Sequence, residues 1–386
     1  YDLSGSKKPV KRLWISSLED SAILDGMQHL RSAEEYRHLA EAAVCRSQAD
    51  WLVGMNATRA YTTKYFKKLT VGRVQTPTLA MLVERAGQIS NFQKEKYFNV
   101  ELDCDGIPAV KPKIFDPDEA EQLRSRCHGN EAIVTAVKET KKKVKAPKLY
   151  DLTTLQREAN RIYGMTAKQT LDTAQSLYEK KLITYPRTDS QYLTEDMEQT
   201  ARNVVRQIYE KYQLTGPFDQ PEQPDVKKVM NNSKVTDHHA IIPTMELASC
   251  HLDELKSWEE KILFLIAVHT VMAMSKDHIY QETEIEVECQ GEIFKAKGRT
   301  VLQDGWKLFE NCFKNKDRMA IVDPDQEMKE RMPKVTQGQT FYAVAAEKTE
   351  HFTSPPKPYS EDTLLAAMET AGNKEFDEDT EKKGLG

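Results

Sequence analysis

The segment Leu182 to Ser190 reads LITYPRTDS and places an arginine two positions after a tyrosine. Pro186 keeps the preceding residue out of the helical region, so Tyr185 sits on an extended, locally rigid stretch. In an extended chain, residues two apart point to the same face. A phenol and a guanidinium on one face can engage one phosphate: the hydroxyl attacks phosphorus while Arg187 holds the anionic oxygens in a bidentate grip. A tyrosine is a weak nucleophile at its free pKa of about 10, so it needs a cation or base nearby. The same residues also suit a plain turn with a half-buried ring and a surface arginine, and spacing alone does not separate the two.

Asp237, His238 and His239, in KVTDHHAIIPT, form a second cluster. Adjacent histidines rarely ligate one ion together, and no third ligand stands at ligand spacing, so no metal site is expected. A histidine that hydrogen-bonds a phosphate oxygen or shuttles a proton fits as well, and so does an exposed loop with one His capping the chain from Ala240 onward. The third cluster is Gly72, Arg73, Val74, Gln75, Thr76, Pro77 and Thr78. Arg, Gln and Thr near a helix start can donate several hydrogen bonds to a phosphate backbone, or simply cap a helix. Asn56 and Arg59 could join that surface. Six lysines (138, 141, 142, 143, 145 and 148) are either a solvated face or a DNA-facing hinge.

These residues need elements to carry them. Over 33–66, Leu39, Ala42, Ala43, Leu52, Val53 and Ala57 recur at helical spacing, with Trp51 expected in the same core. A turn at 67–73 leads to a second helix starting near Thr76 and Pro77. From 97 to 138 the period changes to two, in YFNVELDC, PAVKPKIF and EAIVTAVK, which predicts half-buried strands. The lysine-rich stretch 138–148 reads as a hinge. Helical spacing returns over 150–271, with Gly164 closing one helix and Thr166 capping the next. Met197, Ala201, Val204, Val205 and Ile208 mark a third helix. Pro217, Pro221 and Pro224 then mark a loop, and 253–275 a further helix. Strand patterns recur at 282–303 and 339–349. A proline-rich segment then enters a short helix and an acidic tail. Strands thus flank a helical unit on both sides, so the economical reading is one β-rich domain interrupted by a helical insertion.

Composition narrows the function. The 386 residues are 39% hydrophobic and 30% charged, enough for sizeable cores, with no run near the roughly 18 apolar residues of a membrane span. The net charge is −5, so nucleic-acid binding must come from local basic patches. Six scattered cysteines without a CxxC pair argue against zinc ribbons and for reduced thiols in a cytoplasmic protein. The chain starts at Tyr1 without a secretory leader, and with its abrupt end this leads us to expect a piece of a longer chain.

Taken together and in order, RLWISS (12–17), CRSQADWLVGMNATRA (45–60), VGRVQTPTLAMLVER (71–85), LTTLQREANRIYGMTAKQTLDTAQSLYE (152–179), ITYPRTDS (183–190), DHHAIIPT (237–244) and FTSPPKPYSEDTLLAAME (352–369) resemble the type IA DNA topoisomerases, most closely the bacterial topoisomerase III branch. The resemblance spans essentially the whole chain. It implies a multidomain α and β protein of toroidal architecture, with helical domains and a split β-rich arch. Domains are expected at 1–30 (the tail of a Toprim domain), 31–85 with 350–386 (a helical DNA-groove domain), 86–147 with 272–349 (the arch, including Gly305 and Trp306) and 148–271 (the tyrosine-bearing domain).

The resemblance further implies single-strand cleavage through a 5′-phosphotyrosine on Tyr185, strand passage and ATP-independent religation, for relaxation or decatenation. Arg187 matches the arginine that positions the scissile phosphate, and His238 the histidine that contacts it. Arg59, Arg73, Gln75, Thr76, Asp189 and, less aptly, His239 match the surface that grips single-stranded DNA. Mg²⁺ would be bound by the Toprim domain, of which this sequence shows only the tail. No metal is therefore expected in this chain, which alone would not relax DNA. A cytoplasmic, nucleoid-associated monomer is implied. The rivals are a non-catalytic single-stranded DNA-binding gate module, a tyrosine recombinase, which would attach DNA at the 3′ phosphate, and a winged-helix module making protein contacts.

Overall fold

A computed structural model describes residues 5, 7–15, 20–214, 224–235, 237–310 and 333–372. Ser16 and Ser17 of RLWISS, Pro217 and Pro221, Cys312 and the acidic tail from 373 onward lie outside the described residues. In chain order the elements are β1 (Lys11–Arg12), α1 (Asp20–Gln28), β2 (Arg31–Ser32), α2 (Arg37–Tyr65), α3 (Gln75–Ser90), β3 (Lys96–Cys104), β4 (Ile107–Ile114), α4 (Pro117–Cys127), β5 (Ala132–Val144), α5 (Leu152–Tyr163), α6 (Ala167–Glu179), α7 (Glu198–Tyr212), α8 (Ser257–Ala273), β6 (His278–Cys289), β7 (Glu292–Gln303), β8 (Thr340–Phe341), β9 (Ala345–Phe352) and α9 (Glu361–Glu369). They fall into two compact units. One comprises 1–87, 148–274 and 358–386, the other 88–147 and 275–357.

The second unit is built on a seven-stranded sheet in the order β8-β5-β6-β7-β4-β3-β9. Along β3 every second residue, Phe98, Val100, Leu102 and Cys104, is buried, as a period of two requires of a sheet with one covered face. The cover is α4, which contributes Ala120, Leu123 and Cys127 to the same core. Asp116 caps α4 by accepting from the amides of Asp118 and Glu119, with Pro117 in its first turn. The alternation over 97–138 gave no sign of this helix.

From Lys138 to Lys143 the lysine run is strand; only Lys145 and Lys148 follow it, where the chain passes from one unit to the other. β5 continues through Val144 in antiparallel register with β6, Lys138 opposite Glu284 and Thr140 opposite Glu282. Lys142 lies 3.6 Å from Glu282 and Lys143 2.9 Å from Asp277. Across the next seam Lys297 pairs with Glu284, and Lys295 with Glu286 at 2.9 Å. Opposite charges on facing strands stabilise the pairing and remove the like-charge repulsion that a lysine run alone would suffer. The ribbon closes at Gly305, whose φ is +56° and whose added Cβ would fall 2.4 Å from the Asp277 carbonyl. Trp306 then donates its amide to Lys276 O at 2.9 Å and its indole N–H to Val144 O at 3.2 Å.

In the first unit, Asp151 and Thr166 cap α5 and α6, and Gly164 ends α5 at φ +67°. α8 is buried on all sides from Ile262 to Ala273, so its sequence is apolar throughout rather than striped. At its start the buried Glu259 carboxylate accepts from Lys180 Nζ (2.6 Å), Ser176 Oγ (2.7 Å) and the Lys256 amide (3.0 Å). Burial alone would raise its pKa, but Lys180 and the two other donors outweigh burial and hold it at about 2. This knot fastens the end of α6 to α8. α9 docks on α5 through Arg157, which reaches Asp362 at 2.9 Å and Glu369 at 3.2 Å.

The expected core along 33–66 is absent. α2 is one helix of 29 residues with none buried. Trp51 is 63% exposed, and Leu39, Leu52 and Val53 are more than half exposed. The periodicity is genuine, but no described element covers that stripe. α3 begins at Gln75, one residue before the expected start, and Thr76 acts from inside the helix, its hydroxyl accepting from the Gly72 amide at 3.1 Å.

Candidate active site

The tyrosine segment is held by the histidine segment. α6 ends in a left-handed turn at Lys181 (φ +61°), where the Lys181 amide donates to Tyr178 O at 2.8 Å and the Leu182 amide to Leu177 O at 2.9 Å. This double closure is the Schellman pattern of a helix end. The chain then runs antiparallel to 242–244. Ile183 bridges Pro243, Thr184 N donates to Ile242 O at 2.9 Å, and Thr244 N to Leu182 O at 3.0 Å. The Thr184 hydroxyl donates to Ala240 O and accepts from Ile242 N, both at 3.0 Å. Thr188 Oγ1 donates to His238 O at 2.8 Å, and Ser190 Oγ to Lys234 O at 2.9 Å. The threonines and serine of ITYPRTDS thus act as pins between two motifs far apart in sequence. They satisfy backbone groups that irregular chain would otherwise leave unpaired.

Tyr185 is half-buried beside two rings. The His238 ring centroid is 4.5 Å away at 51°, and Tyr178 meets it edge-on at 5.3 Å and 71°. All three line a cavity of about 750 Å³. An imidazole against the phenol is the arrangement in which a histidine can exchange a proton with, or hydrogen-bond to, a group bound at the hydroxyl.

Arg187 is placed differently from the expectation. The chain bends at Pro186; Pro186, Thr188 and Ser190 are buried, and Arg187 and Asp189 are exposed. Arg187 is not among the residues lining the cavity, and no ion pair holds it among the described residues. His239 is 9% exposed, with Nδ1–H donated to Ala240 O at 2.9 Å. The ring nearest Tyr185 is therefore His238. Tyr178 and Lys181 also line the cavity, and neither was expected from the sequence. The available signal was a second tyrosine in the last turn of the helix that feeds the motif.

Arg59 lies on α2, Arg73 in the loop before α3, and Gln75 and Thr76 in the first turn of α3; none of them lines the Tyr185 cavity. The intervening loop is pinned to α2 by Thr58 and Thr62, which accept from the Val71 and Leu69 amides at 2.9 and 3.2 Å. Arg73 pairs with Asp50 at 3.0 Å, both side chains more than 40% exposed. A surface pair of this kind contributes about 0–1 kcal/mol, so a phosphate can displace Asp50 at little cost. Gln75, Thr76 and Arg59 are all exposed.

No group of three or more His, Cys, Asp or Glu that could hold a metal occurs among the described residues. Two carboxylates, Glu179 and Glu246, stand on the wall of the Tyr185 cavity. None of the helices among the described residues is long and apolar enough to cross a membrane.

Two buried histidines tie this unit's stability to pH. His269 stacks on Tyr150 at 3.7 Å and donates Nε2–H to Lys148 O at 2.8 Å. Burial lowers the pKa of both His269 and His239. The unfolded chain therefore takes up protons near pH 6.5 that the folded chain refuses. Their contribution to stability is constant above about pH 6.5 and falls as the pH drops below it, by about 1.4 kcal/mol per histidine for each unit of separation. Thermal melts from pH 7.5 to 5.5 should show a falling Tm, with a shallower slope in His269→Gln. A flat profile would contradict the burial of these rings as neutral groups.

A model of the DNA topoisomerase family matches residues 34–386. The chain is 40% identical over 375 residues to DNA topoisomerase 3 of Bacillus subtilis, covering 94% of this chain and 50% of that protein. It is 38% identical over 378 residues to DNA topoisomerase 3 of Staphylococcus epidermidis, covering 96% and 51%. Among solved structures, full-length topoisomerase I from Thermotoga maritima superposes with a TM-score of 0.69 at 24% identity, over 93% of this chain and 57% of that one. The chain spans about half the length of the curated relatives it matches. It belongs to the DNA topoisomerase family, in its type IA branch, and is similar to the bacterial topoisomerase III proteins.

Proposed function

We propose that this chain supplies the cleavage tyrosine and part of the single-strand grip of a topoisomerase III-like enzyme. Tyr185 Oη attacks a backbone phosphorus, and a phosphorus–oxygen bond forms as the bond to the 3′ oxygen breaks. The phenol gives up its proton, the departing 3′ oxygen takes one up, and the DNA stays joined through its 5′ phosphate. Attack by the 3′ hydroxyl reverses the step after strand passage, so the phosphodiester energy is conserved without ATP. His238 hydrogen-bonds the phosphate or moves a proton at the phenol. Arg187, free to swing, closes on the anionic oxygens once DNA is present, and Arg59, Arg73, Gln75 and Thr76 track the strand. Mg²⁺ is assigned to a Toprim domain and not to residues of this chain. The enzyme acts as a nucleoid-associated monomer in the cytoplasm.

The observation that carries the reading is the His238 ring packed against a Tyr185 pinned on both sides by backbone hydrogen bonds. The test is the polarity of attachment in the full-length protein. Single-stranded oligonucleotide labelled at its 3′ end should leave label on the protein after a denaturing quench, and 5′-labelled oligonucleotide should not. The reverse pattern would mean attachment at the 3′ phosphate and a recombinase-like reaction. Binding with neither adduct would leave a non-catalytic gate module.

A further inference from the structure

We infer that the cavity beside Tyr185 is a nucleotide subsite, taking one unstacked base against Tyr178 with the phosphate of that nucleotide on Lys181. The inference rests on the function proposed above. A phosphate at the Tyr185 hydroxyl carries a nucleoside on each side, so a base must lie close to the tyrosine. The cavity is far larger than a phosphate needs, at about 750 Å³, and its wall includes Ile183, Met197, Ile242 and Pro243. Such a lining suits the flat, weakly polar face of a base rather than an anion. Tyr178 supplies an aromatic ring held edge-on to Tyr185 at 5.3 Å, and stacking on an aromatic side chain is sequence-tolerant because every base has a π-face.

Lys181 is the second observation. It lines the same cavity and sits at φ +61°, the helix-closing position where glycine is favoured. A lysine here carries backbone strain that glycine would avoid, and strained residues cluster where a side chain is needed. Among the residues lining the cavity it is the only lysine or arginine.

The test uses the 386-residue chain and a short fluorescent single-stranded oligonucleotide, either intact or with one abasic site moved through each position. Wild type should show one position where loss of the base raises Kd at least about fivefold. Tyr178→Ala should bind the intact strand that much more weakly and no longer notice the abasic site, while Tyr178→Phe, which keeps the ring, should behave as wild type. Lys181→Gly, which suits the backbone, should stay folded and lower the slope of log K against log salt by about 0.7, the share of one phosphate. An abasic scan that is flat in wild type overturns the subsite and leaves the proposed function standing. An unchanged salt slope in Lys181→Gly overturns the phosphate assignment. A chain with no affinity for single strands overturns the proposed DNA grip and the subsite with it.

Discussion

Replacing Tyr185 by phenylalanine in the full-length protein is expected to abolish the covalent DNA adduct and to lower strand passage by more than about 10⁴-fold, the scale seen when an enzyme loses its nucleophile. The substitution removes one oxygen and keeps the ring, so the packing against His238 and Tyr178 survives. Affinity for single-stranded DNA should therefore stay within about twofold, which separates chemistry from binding. His238→Ala should behave differently. A group that assists by hydrogen bonding or proton transfer contributes about 10²–10⁴-fold, so the adduct should still form, but slowly. Single-turnover cleavage of end-labelled oligonucleotide measures both. An adduct that persists in Tyr185→Phe would sink the assignment of this residue and direct attention to another hydroxyl.

Which elements were legible in the sequence depends on the physics of each. Helix ends were legible because capping is local: Thr166 with Gln169, and Gly164 at positive φ, each need only their neighbours. The core face of β3 was legible because burial on one side imposes a period of two. The lysine strand was not, because the glutamates that pair with it lie far along the chain on β6, and a charge run without its partners resembles a solvated linker. The stripe on α2 misled for the opposite reason. Its period is helical, but periodicity reports which face is apolar, not whether anything covers it, and none of its residues is buried.

At the site, the nucleophile and its histidine were separate weak signals that only the family resemblance joined. The physical link between them is a set of hydroxyl-to-backbone bonds from Thr184, Thr188 and Ser190, which spacing does not reveal. Arg187 was expected on the face of Tyr185 from an unbroken extended chain. The chain bends at Pro186, and Arg187 is exposed and does not line the cavity that Tyr185 lines.

Those pins lead to the second large effect, the substitution Thr184→Val. Valine matches threonine in shape, so the change isolates one hydroxyl. That hydroxyl both donates to Ala240 O and accepts from Ile242 N, and Ala240 and Ile242 are fully or nearly fully buried, at 0% and 1% exposure. An unsatisfied buried polar group costs about 1–3 kcal/mol. Ala240 O keeps its bond from His239 Nδ1, so the Ile242 amide alone is left unpaired, and stability should fall by about 1–3 kcal/mol, readable as a lower urea midpoint at unchanged m-value. Thr184→Ser keeps the hydroxyl and should recover most of the loss. The functional effect should exceed the share of molecules that unfold. The same hydroxyl fixes the strand that aims Tyr185 at His238, and a displacement of about 1 Å near a reacting centre can cost about 10²-fold in rate. Adduct formation in Thr184→Val, measured well below its melting temperature, is thus expected to fall by one to two orders of magnitude while Tyr185 itself is intact. If the valine variant were as stable and as fast as wild type, the remaining bonds between the two motifs, from the Thr184 and Thr244 amides and the Thr188 hydroxyl, would suffice to hold them, and the role assigned to the Thr184 hydroxyl would fail.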